Sequence, residues 1–169
     1  MSMTSKWTRL WAIGMFMVLT LSLVETALPK SKSKAGTGAL EGFWVMVTVE
    51  NISYEQDYGW TQSYHWYDMR NFTGDTVEFS IEFQHEVAGI DANGRRVPLG
   101  LSSTYPPQGQ QHRDIDSPGY KSEDGTQGIN CNGLDPGNYL VDAYTSVRVS
   151  DPDVMSVDVS DDTFRFMIP

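Results

Sequence analysis

From Phe43 onward the apolar residues recur at every second position, and this period constrains the chain more than any other feature in it. Phe43, Val45, Val47 and Val49 alternate with Trp44, Met46, Thr48 and Glu50; further on, Val77, Phe79, Ile81 and Phe83 alternate with Glu78, Ser80, Glu82 and Gln84. Successive side chains of a strand point to opposite faces, so each run is a strand with one buried face. Phe79 and Phe83 are expected in the core. Asn93-Gly94 supplies a tight turn into a strand near 96–101, and Asp135-Pro136-Gly137-Asn138 introduces another over 139–149, where Tyr139, Val141, Ala143, Val147 and Val149 share a face. Runs at 154–159 and 163–167 complete the count, and no helical period follows residue 28. The expectation is an all-β domain over residues 41–169: a single antiparallel β-sandwich, immunoglobulin-like or similar, of six to eight strands. A chain of 169 residues has room for one such domain and a short appendage.

Within that domain the stretch Leu134-Asp135-Pro136-Gly137-Asn138-Tyr139-Leu140-Val141 resembles the Pro-Gly-x-Tyr strand entry frequent in secreted immunoglobulin-like and transthyretin-like modules. Turn chemistry alone produces such a stretch, so no family follows from it.

The appendage is N-terminal. Lys6 and Arg9 precede an uncharged run from Leu10 to Val24, closed by Glu25, Pro29 and the tract Lys30, Lys32, Lys34. As a helix the run spans about 22 Å, the upper end of a signal-peptide core, whereas residues 7–28 span about 33 Å and cross a bilayer. Trp7 and Trp11 would then sit at an interfacial belt, with Phe16, Leu19 and Leu23 in the hydrocarbon. Cleavage needs small residues ahead of the cut. Glu25-Thr26-Ala27 before Leu28-Pro29 supplies a poor site, and Thr20-Leu21-Ser22 lies inside the run. One retained transmembrane helix over residues 1–28 is expected, followed by a flexible linker over 29–40. The C-terminal domain is expected to be extracytoplasmic, periplasmic or at the cell surface.

Charge and chemistry narrow the function. Residues 35–169 hold seven Lys/Arg against twenty-one Asp/Glu, a net −14, which argues against a nucleic-acid partner. His65, His85 and His112 lie on separate segments without metal-ligand spacing, and Cys131 is the only cysteine, so neither zinc nor a disulfide is expected. His85 continues the Val77–Phe83 alternation and is expected as a satisfied core or edge residue. Asp151, Asp153, Asp158, Asp161 and Asp162 crowd the C-terminal strands but do not match a calcium loop. No Gly-x-Ser-x-Gly, Walker or dinucleotide fingerprint is present. The expectation is no catalysis, no metal and no cofactor. Asn51-Ile52-Ser53 and Asn71-Phe72-Thr73 are formal glycosylation sequons.

What remains is contact. Tyr54, Tyr58, Trp60, Tyr64, Trp66, Tyr67 and Phe72 place seven rings in nineteen residues among polar neighbours. Such a strip either fills the core of a hairpin or forms a docking patch, since Tyr and Trp combine apolar faces with a polar edge. Residues 102–134 are polar and rich in Gly, Pro, Gln and Asp, with almost no apolar period, and are expected as a long contact loop. Candidate partner-binding residues are Tyr58, Trp60, Tyr64, Trp66 and Arg70 on the strip, with Tyr105 and His112 on the loop. The expected function is a single-pass accessory or structural subunit of a larger membrane complex, such as a respiratory or photosynthetic one, its partners being the other subunits and the bilayer. Two other readings stand beside it: an exported module recognising glycan or peptide through the strip, and a filament subunit. Pilin-type processing expects a basic residue and Gly immediately before the apolar run, whereas Gly14 lies inside it.

Overall fold

The computed structural model describes residues 33–107, 112–151 and 155–169. The expected membrane helix, with Trp7, Trp11, Phe16, Leu19 and Leu23, lies outside the described residues. Among those described, no helix is long and apolar enough to cross a membrane. The described residues form nine strands: β1 (Lys34–Leu40), β2 (Phe43–Glu55), β3 (Trp60–Asn71), β4 (Val77–Ile90), β5 (Arg96–Tyr105), β6 (His112–Ile115), β7 (Gly119–Asn130), β8 (Gly137–Asp151) and β9 (Met155–Ile168). One sheet runs β1-β2-β3-β7 and the other β5-β4-β8-β9, with β6 following β5 along the same edge of β4. Every pairing is antiparallel, and the sheets pack face to face as a sandwich.

The alternating runs of β2, β4 and β8 form strands with their apolar positions inward, and Phe79 and Phe83 are fully buried. In β2 the register slips between Glu50 and Ser53, where Asn51 adopts φ +54°. Asn tolerates that left-handed conformation better than most residues. The extra residue moves the inward set from odd to even positions, which is why Ile52 and Tyr54 join the core after Val49.

Three expectations are corrected. The linker does not extend to residue 40, because β1 begins at Lys34. Its Gly residues reflect close packing rather than flexibility: a Cβ on Gly36 would lie 2.9 Å from the Asp158 carbonyl oxygen, and one on Gly38 would lie 2.2 Å from Val157 Cγ2. Lys34 closes this side of the sandwich, with Nζ 3.3 Å from Asp161 Oδ1 and donating to the Ser160 carbonyl. Gly38→Val should therefore destabilise the fold by about 1 to 3 kcal/mol through overpacking, read from urea unfolding. A wild-type midpoint would return residues 34–40 to the status of a tether.

The second correction concerns residues 102–134, which carry the end of β5 and all of β6 and β7 instead of one long loop. Their inward positions alternate, but in polar residues. Glu123 on β7 accepts from Tyr105 on β5 (2.5 Å), from Tyr67 on β3 (3.3 Å) and from the Arg113 guanidinium on β6. Gln127 accepts from Ser103, Lys121 lies over the Phe79 ring, and Gly125 lies against the Phe83 ring. The two sheets are thus clamped here by hydrogen bonds and charge, which a hydrophobic period does not register. Burial works to raise the Glu123 carboxyl, yet the hydrogen bonds from Tyr105 and Arg113 outweigh it and hold it below the usual range. The third correction is the strand count, nine among the described residues rather than six to eight, with residues 155–159 and 163–167 of the two expected runs belonging to one strand, β9.

Candidate functional site

The even-numbered residues of β3 point away from the core, and its neighbours in register complete an outer face. Across β2, β3 and β7 the rows are Trp44–Arg70–Tyr120, Met46–Asp68–Ser122, Thr48–Trp66–Asp124 and Glu50–Tyr64–Thr126. Rings and charges therefore alternate along one surface. The Arg70 guanidinium lies 5.7 Å from the centre of the Trp44 ring, a cation–π pair. Beside it a hollow of about 560 Å³ is lined by Gly42, Phe43, Trp44, Arg70 and Phe72. Further along, Tyr64 donates its hydroxyl to Asp124 Oδ2 at 2.8 Å, and that bond raises the phenol above its ordinary value. A second hollow of about 350 Å³ opens between Tyr64, Trp66, Tyr120, Asp68, Glu50 and Asp124. Two oxygens on this face, Asp68 Oδ1 and Thr48 Oγ1, are shielded from solvent and have no hydrogen-bond partner.

The sequence-predicted residues divide. Tyr64, Trp66 and Arg70 share the outer face. Trp60 stands at its end, with its ring against Gly128, where a Cβ would come within 2.7 Å of the indole. Tyr58 sits in the β2–β3 turn and is 72% exposed. Tyr54 and Tyr67 of the same strip face the core, so the strip supplies both the core and the surface. Tyr105 is held in the Glu123 clamp, and His112 is exposed at the start of β6. Trp44, Asp68, Tyr120 and Asp124 are not among the predicted partner-binding residues, although Trp44 was legible as the outward partner in the β2 alternation. The two sequons also separate. Asn51 is exposed at the bulge, while buried Asn71 donates to the Asp75 and Ile115 carbonyls and accepts from Thr73.

The remaining reactive side chains lie inside. One apolar cluster centres on Phe79 and Phe83 and another on Val141 and Phe164, and a buried polar string runs between them. Thr145 Oγ1 donates to the Thr48 carbonyl (3.0 Å), so it accepts from His65 Nδ1 (2.9 Å). Ser63 then donates to His65 Nε2 (2.7 Å) and accepts from His85 Nδ1 (2.6 Å), and Thr61 donates to His85 Nε2 (2.9 Å). The network assigns both rings the neutral Nδ1–H tautomer. Burial lowers His65 to about 4 and His85 to about 3, in keeping with that state. Cys131 ends the string 3.9 Å from Thr61 Oγ1, its thiol pushed up by burial. His85 is thus the satisfied core residue expected of it, and neither ring has a nitrogen left for a substrate. Asp161 is buried as well, accepting from the Thr163 amide and hydroxyl. Among the described residues no group of three or more His, Cys, Asp or Glu is placed to hold a metal ion.

No family model matches the chain, and no curated protein does. Among solved structures it is similar to a structural-genomics target at 10% identity, covering 78% of this chain and 91% of that one with a TM-score of 0.38. It is also similar to a protein from Archaeoglobus fulgidus (11% identity, 83% and 98% coverage, TM-score 0.37) and one from Bordetella pertussis (10%, 83% and 98%, TM-score 0.31). With TM-scores below 0.5 these likenesses carry no argument about topology or function.

Proposed function

We propose that this protein is a non-catalytic docking subunit: an immunoglobulin-like sandwich, tethered by a membrane helix formed from residues 1–28, that holds a partner subunit of a membrane complex against the outer face of its four-stranded sheet. The observation that carries the reading is the row pattern of that face, where Trp44, Trp66, Tyr64 and Tyr120 stand outward among Arg70, Asp68 and Asp124. Aromatic residues and Arg are the groups that anchor protein interfaces. The buried histidines and cysteine support the same reading, since both imidazoles are already fully hydrogen-bonded inside the sandwich.

Trp66→Ala and Arg70→Ala should each weaken partner association tenfold or more, the loss typical of a central anchor. Trp60→Ala should do less, its ring being engaged with Gly128. The measurement is native purification in mild detergent followed by identification of co-migrating chains, wild type against variants. Unchanged association for Trp66→Ala and Arg70→Ala would sink the docking face. A glycan module, the second reading, would instead bind soluble oligosaccharide through the same rings and bring down no companion chain.

A further inference from the structure

One end of the sandwich differs from the rest of its surface. The β2–β3 turn, the β4–β5 turn, the β7–β8 connection and the close of β9 all meet there, since Glu55 pairs with Trp60, Ile90 with Arg96 and Asn138, and Gly137 with Ile168. Tyr58 is 72% exposed and Met167 62%, and Trp60, Val97 and Leu99 complete an exposed apolar set on this half. Among the described residues the other exposed large apolar side chains are Phe72 and Tyr120, which belong to the opposite half. Charge divides the same way. Within residues 55–60, 90–96, 130–139 and 164–169 four carboxylates stand against three arginines, while the rest of residues 35–169 holds seventeen against four. The turn that carries Tyr58 is also held in place: the Asn132 side-chain amide donates to the Tyr58 carbonyl (3.0 Å), and the Cys131 amide donates to that of Gly59 (2.7 Å).

The route of the chain into the domain identifies what covers this end. β1 begins at Lys34, opposite Val49, and runs away from the loop end to Leu40, opposite Phe43. The chain therefore enters β1 from the loop side. At about 3.4 Å per extended residue, residues 29–33 reach about 17 Å. That nearly matches the stretch of β2 from Val49 to Glu55. The helix proposed for residues 1–28 then ends close to the level of Tyr58. Turned back, the same five residues fall short of the opposite end at the Glu41–Gly42 turn.

We propose that this loop end rests on the bilayer from which the chain emerges, with Tyr58 and Trp60 in the headgroup layer of the adjoining leaflet. Tyr and Trp favour that layer because it satisfies an apolar ring and a polar edge together. An end with little excess carboxylate also gives up little hydration of charge there. The outer face of the four-stranded sheet then stands upright, open to a subunit alongside in the same membrane. The proposal rests on the membrane tether of the docking reading and adds a lipid contact made by the β-domain itself.

The test uses the full chain reconstituted in phosphatidylcholine vesicles, with a nitroxide placed singly at Tyr58→Cys, Met167→Cys or Phe72→Cys. Cys131 is buried and leaves the label to the introduced thiol. Collision with a water-soluble nickel chelate, read by power saturation, should be several-fold lower at 58 and 167 than at 72, with melting temperatures confirming that each variant folds. Equal collision at 58 and 72, in a chain that still floats with the vesicles after a high-salt wash, would overturn the lipid contact and leave the tether standing, with protein as the cover for that end. Shielding at 58 with 167 left open would tip the sandwich onto its four-stranded sheet and overturn the end-on arrangement. A chain that does not float would overturn the tether and this contact together.

Discussion

Phe83→Ala should cost about 3 to 5 kcal/mol, a large part of the roughly 5 to 15 kcal/mol that holds a domain of this size together. Phe83 is fully buried on the central strand β4, and its ring meets three others: His65 in a stacked arrangement at 5.4 Å, Tyr105 at 5.8 Å and Tyr67 at 6.4 Å. Truncation would open a cavity among rings that are themselves tied down, His65 by the polar string and Tyr105 and Tyr67 by Glu123, so the surroundings can collapse only partly. That places the cost near the upper end of the range. Phe79→Ala belongs in the same range, since its ring meets Tyr67 edge-on at 6.1 Å and carries Lys121 above it. Urea unfolding of the full chain measures both. A loss below about 1 kcal/mol at Phe83 would mean that the β4 side chains face the other way.

The contrast between β4 and β7 shows what was legible in the sequence. β4 announces itself because its inward residues are apolar, and the same holds for β2 and β8. β7 pairs with β3 over its whole length, yet its inward residues Lys121, Glu123, Gly125 and Gln127 give no apolar period. Its inward face is satisfied by ion pair, hydrogen bond and a cation over a ring, interactions whose partners lie in distant segments. β1 was obscured for a related reason, since a strand whose inward residues include Gly36 and Gly38 has a linker's composition. The site divided along the same line. Tyr64, Trp66 and Arg70 were recoverable from local ring density, whereas Tyr120 and Asp124, which complete the hollow, sit on the strand that could not be seen. The rings of 54–72 serve two faces because β3 alternates through them, sending Tyr67 in and Trp66 out.

Lowering the pH from 7 to 5 should remove about 4 kcal/mol of stability, with His65 and His85 as the source. Unfolded, each imidazole takes a proton near pH 6.5; folded, burial holds them near 4 and 3. Between these values the unfolded chain binds up to two more protons than the folded one, so unfolding free energy rises with pH. The stability is fully present above about pH 7 and is lost as pH falls through 6.5 toward 4, at up to about 2.7 kcal/mol per unit. Carboxylates add little before pH 5, since Glu123 is held below its usual range and its contribution fades only at lower pH. The string also dictates how the first proton would be received. If His65 Nε2 gains it, that nitrogen donates to Ser63, Ser63 turns its hydroxyl to His85 Nδ1, His85 shifts its proton to Nε2 toward Thr61, and Thr61 redirects to the Ile129 carbonyl 3.3 Å away. Every hydrogen bond survives that reversal, and the cost is the desolvated charge alone. A second proton has no such path: with His85 Nδ1 also protonated, both ring nitrogens beside Ser63 donate to it, and the Ser63 hydroxyl hydrogen is left without its acceptor. His65→Gln and His85→Gln should each roughly halve the slope of unfolding free energy between pH 7 and 5, whatever they do to the absolute value at pH 7. Urea titrations at half-unit intervals, followed by near-ultraviolet circular dichroism, give that slope directly, and one unchanged in both variants would show that the two rings are not what acid attacks.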